Sequence, residues 1–253
     1  MVGDPGALPA VTARRETVMT DPLHTVRFPG ESPAYRIARD RLLKAEMELR
    51  RQTEATAALR RALPLGGVVP VDYAFDDEGD TPIDTDIERQ TRLSDLFADG
   101  KDTLAIYSFM FGPAMSAPCP SCSSILDALD GEMPHLRQRV NVAVVAKSPI
   151  QRIRHFARDR GWRQLHLLSS AHNTYNSDYH GESADGRQMP ALNIFLRRDG
   201  QVHHTWCSEL MFVPPEPGQD PRHVDAIWPL WNLLDCLPEG RGADWRPSLT
   251  YDR

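Results

Sequence analysis

Two cysteines stand three positions apart in Cys119-Pro120-Ser121-Cys122, and three kinds of chemistry suit that spacing. The pair can cycle between dithiol and disulfide, can supply half of a four-ligand zinc site, or can be inert. Zinc needs two more ligands, and His203, His204 and Cys207 are the candidates, far downstream on a strand-like segment. Strand neighbours face opposite sides, so at most one of His203 and His204 can face such a site.

The flanking elements determine how the first thiol is presented. Thr103 to Phe111 is mostly β-branched, aliphatic and aromatic, and Gly112-Pro113 breaks it, which predicts a buried strand feeding a loop. From Ser123 to Arg137, Ile125, Leu126, Leu129, Met133 and Leu136 recur at helical spacing. Cys119 is therefore expected near a helix N-terminus, with Pro120 at the first helical position, where its missing N–H costs nothing. Unpaired N–H groups and the helix dipole stabilise a thiolate there, so Cys119 is the expected attacking thiol. Cys122, one turn on, is the expected resolving thiol.

Further along, the strand over residues 140–146, the helix from Pro149 to about Arg160 and the strand from Leu165 to Leu168 continue the strand and helix alternation, which predicts parallel pairing in an α/β layer. Residues 190–198 and 201–206 flank Asp199-Gly200, the strongest hairpin signal in the chain, so an antiparallel pair closes the sheet. A terminal helix is expected from Asp225 to Leu234. Upstream, Ser32-Pro33 opens a helix to Ala62, with Tyr35, Ala38, Leu42, Ala45, Leu49 and Leu59 on its apolar face. A short strand is expected within Val68 to Phe75, an acidic turn around Asp76-Asp77-Glu78-Gly79-Asp80, and a short helix from Arg92 to Ala98. The organisation read from these signals is a flexible tail over 1–31, a helical extension over 32–64 and an α/β domain over 65–253.

Composition narrows the function classes. Lys and Arg total 29 against 35 acidic residues, a net charge of −6, which gives no electrostatic footprint for nucleic acid. Four cysteines in 253 residues are too few for a disulfide-stapled secreted scaffold. No signal-peptide core and no membrane-length apolar run is visible, so a cytoplasmic protein with no membrane partner is expected. No cofactor motif stands out.

The element order resembles the thioredoxin superfamily: strand, CxxC at a helix start, βαβ, then a strand opened by Pro190, an Asp-Gly turn, a strand and a helix. More specifically, the chain resembles the bacterial thioredoxin-like proteins of domain-of-unknown-function family 899, described as predicted dithiol-disulfide oxidoreductases. The resemblance is carried by Phe109-Met110-Phe111-Gly112-Pro113, Cys119-Pro120-Ser121-Cys122-Ser123, Gly161-Trp162, Ser169-Ser170, Asn176-Ser177-Asp178-Tyr179, His204-Thr205, Leu234-Asp235 and Pro238-Glu239-Gly240-Arg241. It spans roughly Ser32 to Tyr251.

That resemblance implies a thioredoxin-like fold, a central mixed sheet flanked by helices with an N-terminal helical extension. It implies catalysis by Cys119 and Cys122 without metal or other cofactor, and a substrate groove formed by Pro190, Met189 and Pro120, with a cis Met189–Pro190 bond. The implied partners are a protein or small-molecule disulfide or thiol, and a redox partner. The leading helix offers a surface for a possible homodimer. Ala117-Pro118 before the motif and Pro120-Ser121 within it are closer to glutaredoxin style than to thioredoxin. The peroxiredoxin pattern Pro-x-x-x-Thr-x-x-Cys is not reproduced, because Pro120 is the seventh residue after Pro113, and this disfavours peroxidase chemistry. Cys207 and Cys236 are expected as small buried hydrophobes, Trp162 and Trp228 as core, and the polar run from Ser169 to His180 as a hydrogen-bonded loop or cleft wall.

Overall fold

A computed structural model describes residues 23–77, 89–242 and 244–251. The expected tail over 1–31 therefore lies outside the described residues as far as residue 22, and the acidic turn lies outside them from Glu78 onward. Two compact units divide the chain, Met1–Ala62 and Leu63–Arg253.

The first unit is built on helix α1 (Pro33–Arg61). Ser32 caps it, its Oγ accepting the Tyr35 N–H at 3.1 Å, and Pro33 takes the first turn, where no backbone donor is needed. None of its residues is buried, and Tyr35, Leu42, Leu49 and Leu59 are all exposed.

The second unit is an α/β fold around one seven-stranded sheet. Its strands are β1 (Ala74–Asp77), β2 (Arg89–Arg92), β3 (Thr103–Ser108), β4 (Asn141–Ala146), β5 (Leu167–Ser169), β6 (Ala191–Arg198) and β7 (Gln201–Cys207). They lie in the order β2-β1-β5-β4-β3-β6-β7. β3, β4 and β5 are parallel to one another, and β6 and β7 complete one side antiparallel, so the sheet is mixed. The parallel crossovers run through α2 (Pro120–Leu136) and α3 (Ile150–Arg160), and the hairpin turns on Asp199 and Gly200, both with positive φ, as an Asp-Gly turn requires. This is a thioredoxin-like α/β fold. A short helix α4 (Tyr175–Asp178) follows β5, and α5 (Pro229–Leu234) follows β7.

Both faces of the central strands are covered, which explains their near-continuous apolar sequences. Alternate residues go to opposite sides. Leu104, Ile106, Ala143 and Val145 pack with Tyr73, Phe75, Tyr175 and Phe195 on one face. Tyr107, Phe109, Val144 and Ala146 pack against Cys122, Ile125, Leu126 and Met133 of α2, Ile150 and Ile153 of α3, and Trp162, Trp228 and Trp231 on the other. Among the described residues, no helix is long and apolar enough to cross a membrane.

Several elements differ from expectation for identifiable reasons. The strand expected within Val68 to Phe75 begins only at Ala74, because residues 66–69 instead run along the outer edge of β7. There the Val69 N–H donates to Val202 O at 2.8 Å and Gly67 O accepts the His204 N–H at 2.9 Å. The helix expected over Asp225 to Leu234 is split into a 3-10 turn, Asp225–Ile227, and α5. Pro229 has no N–H and keeps Trp228 out of helical geometry, at φ −125° and ψ 84°. The short helix expected from Arg92 to Ala98 is a 3-10 turn, Leu93–Leu96. Strand β2 went unread because only Thr91 of its four residues is buried, so no apolar alternation marks it.

Candidate active site

The chain leaves β3 toward the surface and returns as α2, and backbone hydrogen bonds fix both ends of that excursion. The Phe109 N–H donates to Val145 O at 2.8 Å, and Met110 O accepts the Cys119 N–H at 3.0 Å. Cys119 is the N-cap of α2 in extended geometry, with Pro120 in the first turn. Its carbonyl accepts the Ser123 N–H and the Ser123 hydroxyl, each at 3.0 Å, which anchors the cap. Cys119 is thus held at the positive end of a 17-residue helix.

The two thiols are free, and they differ in environment and in acidity. The Cys122 thiol donates to the Cys119 sulfur and pulls the Cys119 pKa down to about 6, against the opposing effect of burial. The backbone N–H groups of Cys122 and Ser121 and the Ser121 hydroxyl act in the same downward direction. Cys122 is 2% exposed, and donating to Cys119 together with burial pushes its own pKa far up. The Tyr107 hydroxyl and the Met110 N–H act on Cys122 in the opposite direction. Tyr107, itself buried, donates to Cys122 Sγ at 3.3 Å, and burial first, then Cys122, raises the Tyr107 pKa well above its ordinary value. One thiolate in an accessible position beside one protonated thiol beneath it is the arrangement that a two-step exchange needs.

Both cysteines open onto a cavity of about 220 Å³. Its apolar wall comes from Met110, Ile125, Pro190, Trp228 and Trp231, and its polar wall from the segment between Asp220 and Arg246. Trp228 is held by Nε1 donation to Ser124 Oγ at 3.2 Å and by an edge contact with Trp231 at 5.2 Å. The C-terminal segment is tied down by charge: Arg241 reaches Asp225 at 2.5 Å and Asp235 at 2.7 Å, and Arg222 reaches Asp235 at 2.7 Å.

The structure brings together Cys119, Cys122 and Pro190 at this cavity, while Pro120 and Met189 lie outside its lining. The cis bond implied by resemblance is not found. Among the described residues every peptide bond is trans, Met189–Pro190 included, which is the intrinsically favoured isomer, and the Met189 N–H is held by Gly181 O at 2.9 Å. His203, His204 and Cys207 do not line the cavity. His203 Nδ1 contacts Gly66 O at 3.1 Å, His204 Nε2 contacts Asn193 Oδ1 at 2.9 Å, and Cys207 is buried elsewhere. The alternative of a zinc site completed by those residues is therefore not assembled, and among the described residues no three His, Cys, Asp or Glu side chains are grouped as a metal would require.

Trp162 and Trp228 are core residues, as expected, whereas Cys236 is exposed rather than buried. The polar run after β5 is a hydrogen-bonded loop: Ser169 Oγ donates to Ser148 O at 2.7 Å and Ser170 Oγ donates to Asn176 Oδ1 at 2.8 Å. Sequence reasoning passed over Tyr107, His223, Trp231 and Arg246. Tyr107 lies inside an apolar strand and Trp231 on the apolar face of the terminal helix, so both read as core, while His223 and Arg246 lie in loops with no periodicity to draw attention to them.

The model of a family described as "Bacterial protein of unknown function (DUF899)" matches residues 25–253. No curated protein matches the chain. Among solved structures it is similar to peroxidoxin BcpB of Mycobacterium tuberculosis, at 16% identity and a TM-score of 0.41, covering 66% of this chain and 95% of that one. It is also similar to a mutant of peroxiredoxin Q of Xanthomonas campestris, at 13% identity and a TM-score of 0.42, covering 66% and 96%. A third similar structure is thioredoxin peroxidase I of Plasmodium yoelii, at 19% identity and a TM-score of 0.42, covering 73% and 100%.

Proposed function

The chain belongs to the bacterial protein family of unknown function DUF899, and for it we propose thiol–disulfide exchange at Cys119 and Cys122. The observation that carries this reading is the placement of the two sulfurs: Cys119 is the N-cap of α2, Cys122 lies one turn on at 2% exposure with the Tyr107 hydroxyl 3.3 Å from its Sγ, and both line one cavity. In keeping with that placement, the Cys119 pKa is lowered to about 6 and that of Cys122 is raised. Near neutral pH Cys119 is mostly thiolate and nucleophilic, and Cys122 is a protonated reserve.

In the forward direction the Cys119 thiolate attacks one sulfur of a substrate disulfide, forming a mixed disulfide and releasing the other sulfur as a thiolate. Cys122 then loses its proton and attacks Cys119 Sγ, which frees the second substrate thiol and leaves a Cys119–Cys122 disulfide. Two electrons pass from protein to substrate. Once Cys119 is in a mixed disulfide, its sulfur no longer carries the charge that holds the proton on Cys122. The Tyr107 hydroxyl and the Met110 N–H then favour the Cys122 thiolate that must form.

Trapping tests the reading. With Cys122→Ser, a disulfide substrate should remain attached to Cys119 as a stable mixed disulfide visible by intact mass. Cys119→Ser should capture none. Equal capture by both variants would overturn the assignment of Cys119 as nucleophile.

A further inference from the structure

Five charged side chains lie on the wall of the Cys119 cavity, Arg222, Arg241, Arg246, Asp220 and Asp225, so the wall carries one more positive than negative charge. Arg241 and Arg222 are engaged within the protein by Asp225 and Asp235. Arg246 is different. Its Nη1 donates to the Trp245 carbonyl at 2.7 Å, its guanidinium lies 5.7 Å from the Trp231 ring centroid, and among the described residues it has no carboxylate partner. A planar guanidinium on a ring face, on an exposed residue, is suited to taking a carboxylate through two parallel hydrogen bonds.

The remainder of the wall nearest the thiols is apolar, formed by Met110, Ile125, Pro190, Trp228 and Trp231. The volume of about 220 Å³ exceeds the roughly 150 Å³ of an apolar cavity that accepts benzene and falls below the roughly 300–1,000 Å³ of sites for drug-sized ligands. One compact aliphatic or aromatic body fits.

We infer that the substrate of this cavity is a small organic disulfide with an apolar body and a carboxylate, the disulfide meeting Cys119, the body packing on Trp228 and Met110, and the carboxylate paired with Arg246. This rests on the exchange reading above and deepens it. The Cys119 thiolate attacks one sulfur, the second leaves as a thiolate and takes a proton from water, and Cys122 closes the protein disulfide with release of the first. Protein dithiol is oxidised and ligand disulfide reduced by two electrons.

The test is a single turnover of the pre-reduced full chain with a pair of probes that differ only in charge, lipoate and its neutral amide lipoamide, each in large excess so that even a weakly oxidising dithiolane drives the exchange forward, reading formation of the Cys119–Cys122 disulfide by quenched alkylation and mass. The neutral disulfide dithiodipyridine serves as a third probe. Lipoate should oxidise the protein about tenfold faster than lipoamide, the value of one charge-assisted pair. Arg246→Gln should slow lipoate about tenfold and lipoamide far less, so that the two probes react at the same rate. Equal rates in the unaltered protein, equal slowing of both probes by Arg246→Gln, or inertness to both while dithiodipyridine still closes the disulfide would each overturn the substrate assignment. Failure of dithiodipyridine itself to close the disulfide would instead overturn the exchange reading.

Discussion

The Tyr107 hydroxyl donates to the Sγ of Cys122 across 3.3 Å, from a strand residue 1% exposed to a helix residue 2% exposed. A phenol in that position stabilises the resolving thiolate relative to the thiol. Tyr107→Phe removes the donor and leaves the ring packing intact, so the Cys122 pKa should rise further and resolution should slow by about tenfold, the loss of one hydrogen bond to a charged acceptor. The first step, attack by Cys119, should change little. Rapid quenching followed by mass analysis checks this: the mixed disulfide on Cys119 should accumulate in Tyr107→Phe and not in the unaltered protein.

Acidity sets the pH dependence of the first step. Cys119 lies at about 6, below the ordinary cysteine value, so thiolate is lost as pH falls through 6 and is nearly complete above 7. Its alkylation rate should fall by about tenfold per pH unit below 6 and be flat from 7 to 8. Burial raises Cys207, which should still be gaining reactivity over that upper range. Site-resolved alkylation by mass distinguishes the two. A Cys119 profile that keeps rising to pH 9 would show that neither the Cys122 thiol nor the donors of the first helical turn lower its pKa.

The placement of Cys119 was legible because its causes are local. An apolar strand, a Gly-Pro break, a proline suited to the first helical turn and a helical repeat from Ile125 onward all lie within about thirty residues of the motif, and each works through short-range geometry. The parallel core and the Asp199-Gly200 hairpin were legible for the same reason. The far wall of the cavity was not. Trp231 and Arg246 arrive more than a hundred residues later, from a segment held by apolar packing and by ion pairs, and nothing in their spacing points to Cys119. Trp228 was read as core, and it is both core and cavity wall. The isomer of Met189–Pro190 was expected by analogy of position, but a trans bond needs no special context and is what the strand entry adopts.

Among the links between helix α2 and the segment leading into β5, Asp130 makes the most backbone contacts. Asp130 Oδ1 accepts the backbone N–H groups of Arg163, Gln164 and Leu165 at 3.0, 2.7 and 3.1 Å, closing the turn that leads into β5. Asp130→Ala leaves three donors without that acceptor and should cost about 2 kcal/mol. Asp130→Asn keeps a carbonyl oxygen in place and should lose less than half of that. Urea denaturation of the two variants measures the difference, and equal midpoints would show that the turn is held by its neighbours instead.

Gly66 tests how the outer strand is protected. A Cβ at this position would sit 1.8 Å from the carbonyl oxygen of His204 and 2.9 Å from its carbon, both backbone atoms of β7 that cannot swing aside as a side chain would. Gly66→Ala therefore forces residues 66–69 away from the strand. That strains or breaks the pairs between Val69 N–H and Val202 O and between His204 N–H and Gly67 O, and it disturbs the contact between His203 Nδ1 and Gly66 O. Loss of two to three hydrogen bonds should lower stability by about 2–3 kcal/mol. Because those residues also cover the free edge of β7, the variant should self-associate when concentrated, as uncovered sheet edges do. A urea midpoint and a light-scattering mass that both match the unaltered protein would show that the edge tolerates the added methyl group.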